Sequence, residues 1–109
     1  VGSIDVFSPL IKKSGNILPK EEMDRLVNKG AVGDIGLQFF DIRGKKINIS
    51  EKYKVIGMTL EQLKKANNVI AIAGGNHKVN AITGALNTSV INTLITDPNT
   101  AKEIIKNVK

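Results

Sequence analysis

The apolar residues near the start of this chain follow a helical period. Residues 18–30 read LPKEEMDRLVNKG, and Met23, Leu26 and Val27 in this segment fall on one face of a helix. A proline at the entry, two glutamates in the first turn and a glycine at the exit are typical helix boundaries. The pattern therefore predicts an amphipathic helix, which follows a turn-rich loop over residues 8–17.

The apolar positions then change to a period of two, which is typical of β-strands. Ile35, Leu37 and Phe39 form one alternating run, and two isoleucines further on form a second. Arg43 and Gly44 lie between the runs, as expected for a hairpin turn. We therefore predict an antiparallel hairpin, followed by a further extended piece in residues 52–57.

From Thr59 onward the helical and extended patterns alternate. Thr59 and Gln62 have the spacing of a capping box, which predicts a helix that stops near residues 66–68. The run Val69–Ala73 is apolar throughout but too short for a helix, so it predicts a strand buried on both faces.

The last third of the chain repeats this alternation. A helical face is formed by Val79, Ile82 and Leu86. A second apolar strand is predicted over Val90–Ile95, and Asp97 and Pro98 supply an N-cap and a first-turn proline for a final helix. The residues expected to face inward on that helix are Ala101, Ile104, Ile105 and Val108.

Strands that alternate with helices at this spacing predict parallel crossover connections. The predicted fold class is therefore α/β, with a Rossmann-like parallel sheet, flanking helices and an added antiparallel hairpin.

Composition narrows the possible functions. The 109 residues contain no cysteine and one histidine, which excludes disulfides, cysteine nucleophiles and thiolate metal ligands and makes a zinc site improbable. No segment has the length or apolar character of a membrane span or a secretory signal, and a cytoplasmic location is expected. The net charge of +6 favours anionic partners, but the lysines are dispersed and the aromatic fraction of 4% is too low for a base-stacking platform.

Gly74, Gly75 and Lys78 are the first candidates for binding chemistry. In an open α/β sheet, ligands bind where strands feed helix N-termini, and glycine lets backbone N–H groups approach a ligand. Lys78 places a positive charge at such a helix start, where an anion would compensate it. The alternative is that the glycines only form the turn and that Lys78 faces water. His77 fits a surface residue better than a catalytic one.

Asp34 is the second candidate. It stands among Gly30, Gly33 and Gly36 just before an alternating strand, and its carboxylate could accept hydrogen bonds from sugar hydroxyls. The alternative is that Asp34 is a turn residue. Asp41 fits a structural role at the hairpin tip.

Three segments together resemble the sugar-binding domain of SorC-type bacterial transcriptional regulators. They are KGAVGDIGLQFFDIRGKKI, VIGMTLEQLKKANNVIAIAGGNHKVNAI and VINTLITDPNTAKEII, and the resemblance runs over essentially the whole chain in order. It implies a fold related to the ribose-phosphate isomerase and CoA-transferase group. It also implies a non-enzymatic role without a cofactor, in which a phosphorylated sugar is bound as an effector.

The resemblance assigns roles to particular residues. Lys78 matches the lysine that contacts the effector, Asp34 matches the acidic residue that reaches the sugar hydroxyls, and Gly74 and Gly75 match the loop that presents the lysine. The family varies at His77. DNA binding would belong to a separate N-terminal domain absent from this chain, and a homo-oligomer is expected.

Two departures from the family pattern suggest a partial domain. Nothing in the chain matches the glycine- and threonine-rich phosphate loop of the family, and VGS stands at the start where many relatives have GIG. Residues 1–109 are therefore expected to be the C-terminal portion of a single sugar-binding domain. The alternative functions are a sugar-phosphate isomerase with Asp34 as general base, and a module for oligomerisation that contacts DNA nonspecifically.

Overall fold

A computed structural model describes the backbone of residues 2–3 and the chain over residues 18–53 and 57–107. The predicted loop over residues 8–17, the centre of the predicted extended piece at residues 54–56, and Val108 lie outside the described residues. The helices are α1 (Lys20–Asn28), α2 (Leu60–Lys64), α3 (Val79–Asn87) and α4 (Pro98–Asn107). The strands are β1 (Gly2–Ser3), β2 (Ala31–Ile35), β3 (Gln38–Asp41), β4 (Lys46–Ile47), β5 (Ile70–Ile72) and β6 (Thr93–Ile95).

The described strands form two sheets. Strands β1 to β4 make an antiparallel sheet in chain order, while β5 and β6 form a separate parallel pair. The fold is therefore mixed α/β, and the parallel connection between β5 and β6 through α3 is confirmed. The antiparallel part is larger than predicted, because it is a sheet of its own and not a single added hairpin.

Helix α1 covers one face of the antiparallel sheet. It has the predicted boundaries, with Pro19 at the N-cap position and Gly30 at φ +97° just beyond the end. Its apolar face packs on the sheet in a buried cluster of Leu26, Ala31, Phe39 and Ile47.

An ion pair between a buried carboxylate and a half-buried guanidinium links α1 to the segment after β4. The Glu22 carboxylate is buried and accepts hydrogen bonds from the Arg25 guanidinium and from the N–H of Ser50. The same guanidinium donates to the Asn48 carbonyl at 2.9 Å. The Arg25 guanidinium is the main reason that the pKa of Glu22 falls from 4.5 to about 2.

Helix α3 covers the opposite face of the sheet. At Gly84 the helix comes so close that a Cβ would lie 2.6 Å from the Asp41 carbonyl oxygen and 2.9 Å from the Phe40 ring. Phe40 and Ile82 are fully buried. The antiparallel sheet is therefore enclosed between two helices.

The predicted strand through Ile35, Leu37 and Phe39 is wrong, because the chain reverses inside it. Gly36 and Leu37 have φ of +55° and +67° and form a two-residue turn between β2 and β3. Two consecutive positive φ values match the twist of a tight hairpin. Gly36 adopts this conformation readily, but leucine rarely does, so the apolar alternation through Leu37 concealed the turn.

The second predicted turn is confirmed. Arg43 and Gly44 lie between β3 and β4, and Asp41 Oδ1 accepts hydrogen bonds from the N–H groups of Arg43 and Lys45, both at 2.9 Å. The structural role predicted for Asp41 is therefore correct.

The helix boundaries in the second half follow the predicted caps. Thr59 and Gln62 form both hydrogen bonds of a capping box, and α2 ends at Lys64, close to the predicted stop. Thr100 donates its N–H to Asp97 Oδ1 at 2.9 Å, so Asp97 is the N-cap of α4.

Two burial predictions in this half are wrong. Strand β5 is not buried on both faces, since Ile70 and Ile72 are exposed. Ile104 faces inward on α4 as predicted, but Ile105 is exposed, because the helical period turns it away from α3.

Candidate functional site

The diglycine corner lies at the carboxyl end of β5 and opens helix α3. After Ala73 continues the parallel ladder by donating to the Ile95 carbonyl at 3.1 Å, Gly74 and Gly75 leave the sheet. A 3₁₀ turn, Asn76–Lys78, follows and leads directly into α3. Lys78 is half-buried at the N-cap position of this helix, where the helix dipole is positive.

Gly74 is required by a close approach between two loops. A Cβ at this position would lie 2.7 Å from Asp97 Oδ2 and 3.4 Å from Thr96 Oγ1. The loop after β5 therefore packs against the loop after β6, so the carboxyl ends of both parallel strands meet at the corner.

Gly75 has a different constraint, which involves Thr100. Its φ of +113° is favourable only for glycine, and its N–H donates to Thr100 Oγ1 at 2.9 Å. Thr100 is buried, and its hydroxyl donates in turn to Asp97 Oδ2 at 2.7 Å. Hydrogen bonds from the Thr100 N–H and hydroxyl lower the pKa of Asp97 below its ordinary value.

Two backbone donors of the corner are already used by protein acceptors. The N–H of Gly75 is used by Thr100, and the N–H of Lys78 donates to the Gly75 carbonyl at 3.0 Å. Within residues 18–53 and 57–107, the N–H groups of Gly74, Asn76 and His77 donate to no protein acceptor. Among the described residues, these three groups and not the Gly75 N–H are the backbone donors left for a ligand at this corner.

A buried hydroxyl adds a further polar group here. Thr96 Oγ1 is buried and has no hydrogen-bond partner among the described residues, although it lies next to Gly74. Buried hydroxyls are usually hydrogen-bonded, so this group is suited to a bound ligand or water. Neither Thr96 nor Thr100 was singled out from the sequence, because threonine in a loop or first helical turn is common.

Asp34 lies on β2, away from the corner in sequence. Its Oδ2 accepts a hydrogen bond from the Leu37 N–H at 2.9 Å, so the carboxylate supports the hairpin turn. In the described part of the chain its other oxygen accepts no hydrogen bond, and no ion pair joins Asp34 to Lys78.

Strand β1 connects the two candidate regions. Gly2 pairs with Asp34 across the antiparallel sheet, and β1 also contacts the turn Asn76–Lys78. The structure therefore brings Gly74, Gly75 and Lys78 into one corner and places Asp34 on a strand whose neighbour touches that corner.

His77 is exposed, and its imidazole lies over Gly75, 2.9 Å from the position that a Cβ would occupy there. This position is compatible with the surface role expected for it.

A polar groove of about 540 Å³ lies beside the diglycine corner and shares Asn76 with it. The groove separates the start of α3 from α4 and is lined by Asn76, Val79, Asn80, Asn99, Lys102, Glu103, Lys106 and Asn107. Asp34, Gly74, Gly75 and Lys78 are not among its lining residues.

The described residues offer neither a metal site nor a membrane span. They contain no group of three or more His, Asp or Glu side chains placed to hold a metal ion. None of their helices combines the length and apolar character needed to cross a bilayer.

The chain is similar to known proteins over nearly its whole length. Residues 1–106 match a family of domains described as "Putative sugar-binding domain". Two curated relatives are transcriptional regulators. The deoxyribonucleoside regulator of Bacillus subtilis is 38% identical over 81% of this chain. The sorbitol operon regulator of Klebsiella pneumoniae is 32% identical over 97% of the chain.

Solved structures give the same result. A transcriptional regulator from Streptococcus pneumoniae superposes with a TM-score of 0.84 and 30% identity, covering 98% of this chain and 40% of that one. A sugar-binding domain of a transcriptional repressor from Vibrio fischeri gives a TM-score of 0.81 and 32% identity, covering 97% of this chain and 42% of that one.

The chain belongs to the family of sugar-binding domains found in SorC-type transcriptional regulators. The resemblance inferred from its motifs is thereby confirmed. The chain spans only 28% and 35% of the two curated relatives. The relatives are named as regulators, and the comparisons give no support to the isomerase alternative.

Proposed function

We propose that this chain is the C-terminal portion of the sugar-binding domain of a bacterial transcriptional regulator, and that its effector is a phosphorylated sugar. The observation that carries the proposal is the family match over residues 1–106 combined with an electropositive, glycine-lined corner at a helix start. DNA binding, homo-oligomerisation and a cytoplasmic location belong to the same proposal, as does a fold relationship to the ribose-phosphate isomerase and CoA-transferase group. The role is binding and not catalysis.

In this proposal the effector phosphate lies against the diglycine corner. Lys78 supplies a full positive charge. The N–H groups of Gly74, Asn76 and His77, which have no acceptor within residues 18–53 and 57–107, supply hydrogen bonds to phosphate oxygens. Gly74 and Gly75 allow the backbone to approach the ligand. Because the Lys78 charge opposes the dipole of α3, a bound dianion would remove an unfavourable interaction.

Asp34 would accept hydrogen bonds from the sugar hydroxyls through its second carboxylate oxygen. The first oxygen is used by Leu37, so the side chain is already held in one orientation before binding. Effector binding would then bias two arrangements of the regulator and change its affinity for the operator.

The test is calorimetric titration of the complete regulator with a panel of sugar phosphates and the corresponding unphosphorylated sugars. We expect Lys78→Ala to weaken binding of the phosphorylated form by about tenfold to a hundredfold, since a charge-assisted contact is lost. Lys65→Ala, an exposed lysine at the end of α2, is the matched control and should bind normally.

For the sugar hydroxyls the informative variant is Asp34→Asn. The amide oxygen still accepts from the Leu37 N–H, so the hairpin is kept while the charge is removed. The matched control is Asp24→Asn, on the exposed face of α1. The assigned contacts are wrong if Lys78→Ala and Asp34→Asn both bind every sugar phosphate as tightly as the unmodified regulator.

A further inference from the structure

Three isoleucines of the parallel sheet are exposed. Ile70 and Ile72 on β5 and Ile95 on β6 expose 54%, 75% and 52% of their surface. Large aliphatic side chains on a parallel sheet are normally buried, so their joint exposure is unusual.

These residues share one face of the sheet. In the parallel register Ile72 lies opposite Ile95 and Ile70 opposite Thr93. The residues between them, Ala71 and Leu94, point to the other face and are partly buried. We call Ile70, Ile72, Thr93 and Ile95 the isoleucine face. It contains no charged residue, so a partner must be apolar where it makes contact.

The relatives indicate that a sugar-binding domain of this family is longer than these 109 residues. The Vibrio fischeri structure is itself a sugar-binding domain. The superposition covers 97% of this chain but only 42% of that domain. More than half of such a domain therefore has no counterpart in the 109 residues. In α/β domains both faces of a parallel sheet are covered by other parts of the same fold.

We infer that the isoleucine face is covered by the remaining part of the same sugar-binding domain, which packs an apolar layer over Ile70, Ile72 and Ile95. The inference rests on the proposed assignment of this chain as the C-terminal portion of that domain. The contact would make β5 and β6, and thus the loops that carry the diglycine corner, part of a core shared between both portions.

A thiol-protection experiment tests the inference, because the 109 residues contain no cysteine. Ile72→Cys is introduced into the complete regulator, and its reaction with N-ethylmaleimide is followed by mass spectrometry of the peptide that contains it. The matched control is Ile105→Cys, an isoleucine of similar exposure (58%) on α4 and outside the isoleucine face. We expect the cysteine at position 72 to react at least about tenfold more slowly than the one at position 105.

A second copy of the protein could also cover the isoleucine face, and dilution distinguishes this case. Protection that is unchanged over about a hundredfold range of regulator concentration supports cover from the same polypeptide, whereas protection that disappears on dilution identifies a second copy and overturns the inference. Equal reactivity of the two cysteines at every concentration also overturns it. Ile95→Cys is a second variant on the same face in case Ile72→Cys disturbs folding. The readout needs no effector, so failure of sugar binding does not affect it.

Discussion

The backbone N–H of Gly75 donates a 2.9 Å hydrogen bond to the buried hydroxyl of Thr100. Thr100 lies in the first turn of helix α4. This contact joins the loop after β5 to the helix that follows β6. The conformation of the diglycine corner therefore depends on a side chain 25 residues away.

Replacing Thr100 by valine should remove the hydrogen bond that holds the diglycine corner. Valine has the same shape but no hydroxyl, so the Gly75 N–H loses its acceptor and the unfolding free energy should fall by about 1–3 kcal/mol. Chemical denaturation measures the loss, and amide hydrogen exchange at Gly75 should become faster.

Thr100→Ser separates the hydrogen bond from packing. It keeps the hydroxyl and removes one methyl group, which costs about 1 kcal/mol. Exchange at Gly75 should then stay as slow as in the unmodified protein. Slow exchange at Gly75 in Thr100→Val would show that the hydroxyl does not hold the corner.

Glu22 should give the protein a specific acid sensitivity. Its pKa of about 2 in the folded state lies below the ordinary value of 4.5, so its ion pair with Arg25 stabilises the fold above about pH 5. That contribution is lost as the pH falls from 4.5 towards 2. We expect Glu22→Gln to lower the unfolding free energy at pH 7 by about 1–3 kcal/mol and to flatten its decline in this range.

Denaturation curves between pH 2 and pH 7 provide the measurement for this prediction. Glu21→Gln is the control, because Glu21 is an exposed neighbour in the same first turn. If both variants keep the pH dependence of the unmodified protein, the Glu22 carboxylate does not stabilise the folded state.

Replacing Gly84 by alanine should destabilise the protein, although alanine usually stabilises a helix relative to glycine. Alanine is favoured over glycine in helix interiors by about 1 kcal/mol. At Gly84, however, the added methyl would lie 2.6 Å from the Asp41 backbone oxygen, and such overpacking costs about 1–3 kcal/mol. Gly84→Ala should therefore lower the melting temperature.

The control for Gly84 is Asn80→Ala, at an exposed position of the same helix, where alanine should be neutral or slightly stabilising. A higher melting temperature for Gly84→Ala would show that α3 does not pack this closely on the sheet.

Local signals in the sequence predicted local structure well. The capping box at Thr59 and Gln62 and the N-cap at Asp97 were correct, because each depends on residues within three positions of one another. The turn at Gly36 and Leu37 was missed because leucine carries no turn preference, and the apolar alternation continues across it.

Features that depend on distant contacts could not be predicted in the same way. The apolar run from Val69 predicts a strand buried on both faces, yet the described residues cover only one face. The contact between Gly75 and Thr100 follows from the packing of two loops, which no spacing rule encodes. The effector contacts of Lys78 and Asp34 stay predictions.

Helix α3 begins immediately after Lys78, and at Gly84 it rests against the antiparallel sheet. A helix of nine residues is a rod of roughly 13 Å, too short to bend appreciably. We therefore expect a displacement at the lysine end to move the helix as a unit, because the close approach of Gly84 to the Asp41 carbonyl oxygen leaves little room for sliding. Under the proposed function, a rearrangement at the diglycine corner would tilt this helix against the antiparallel sheet.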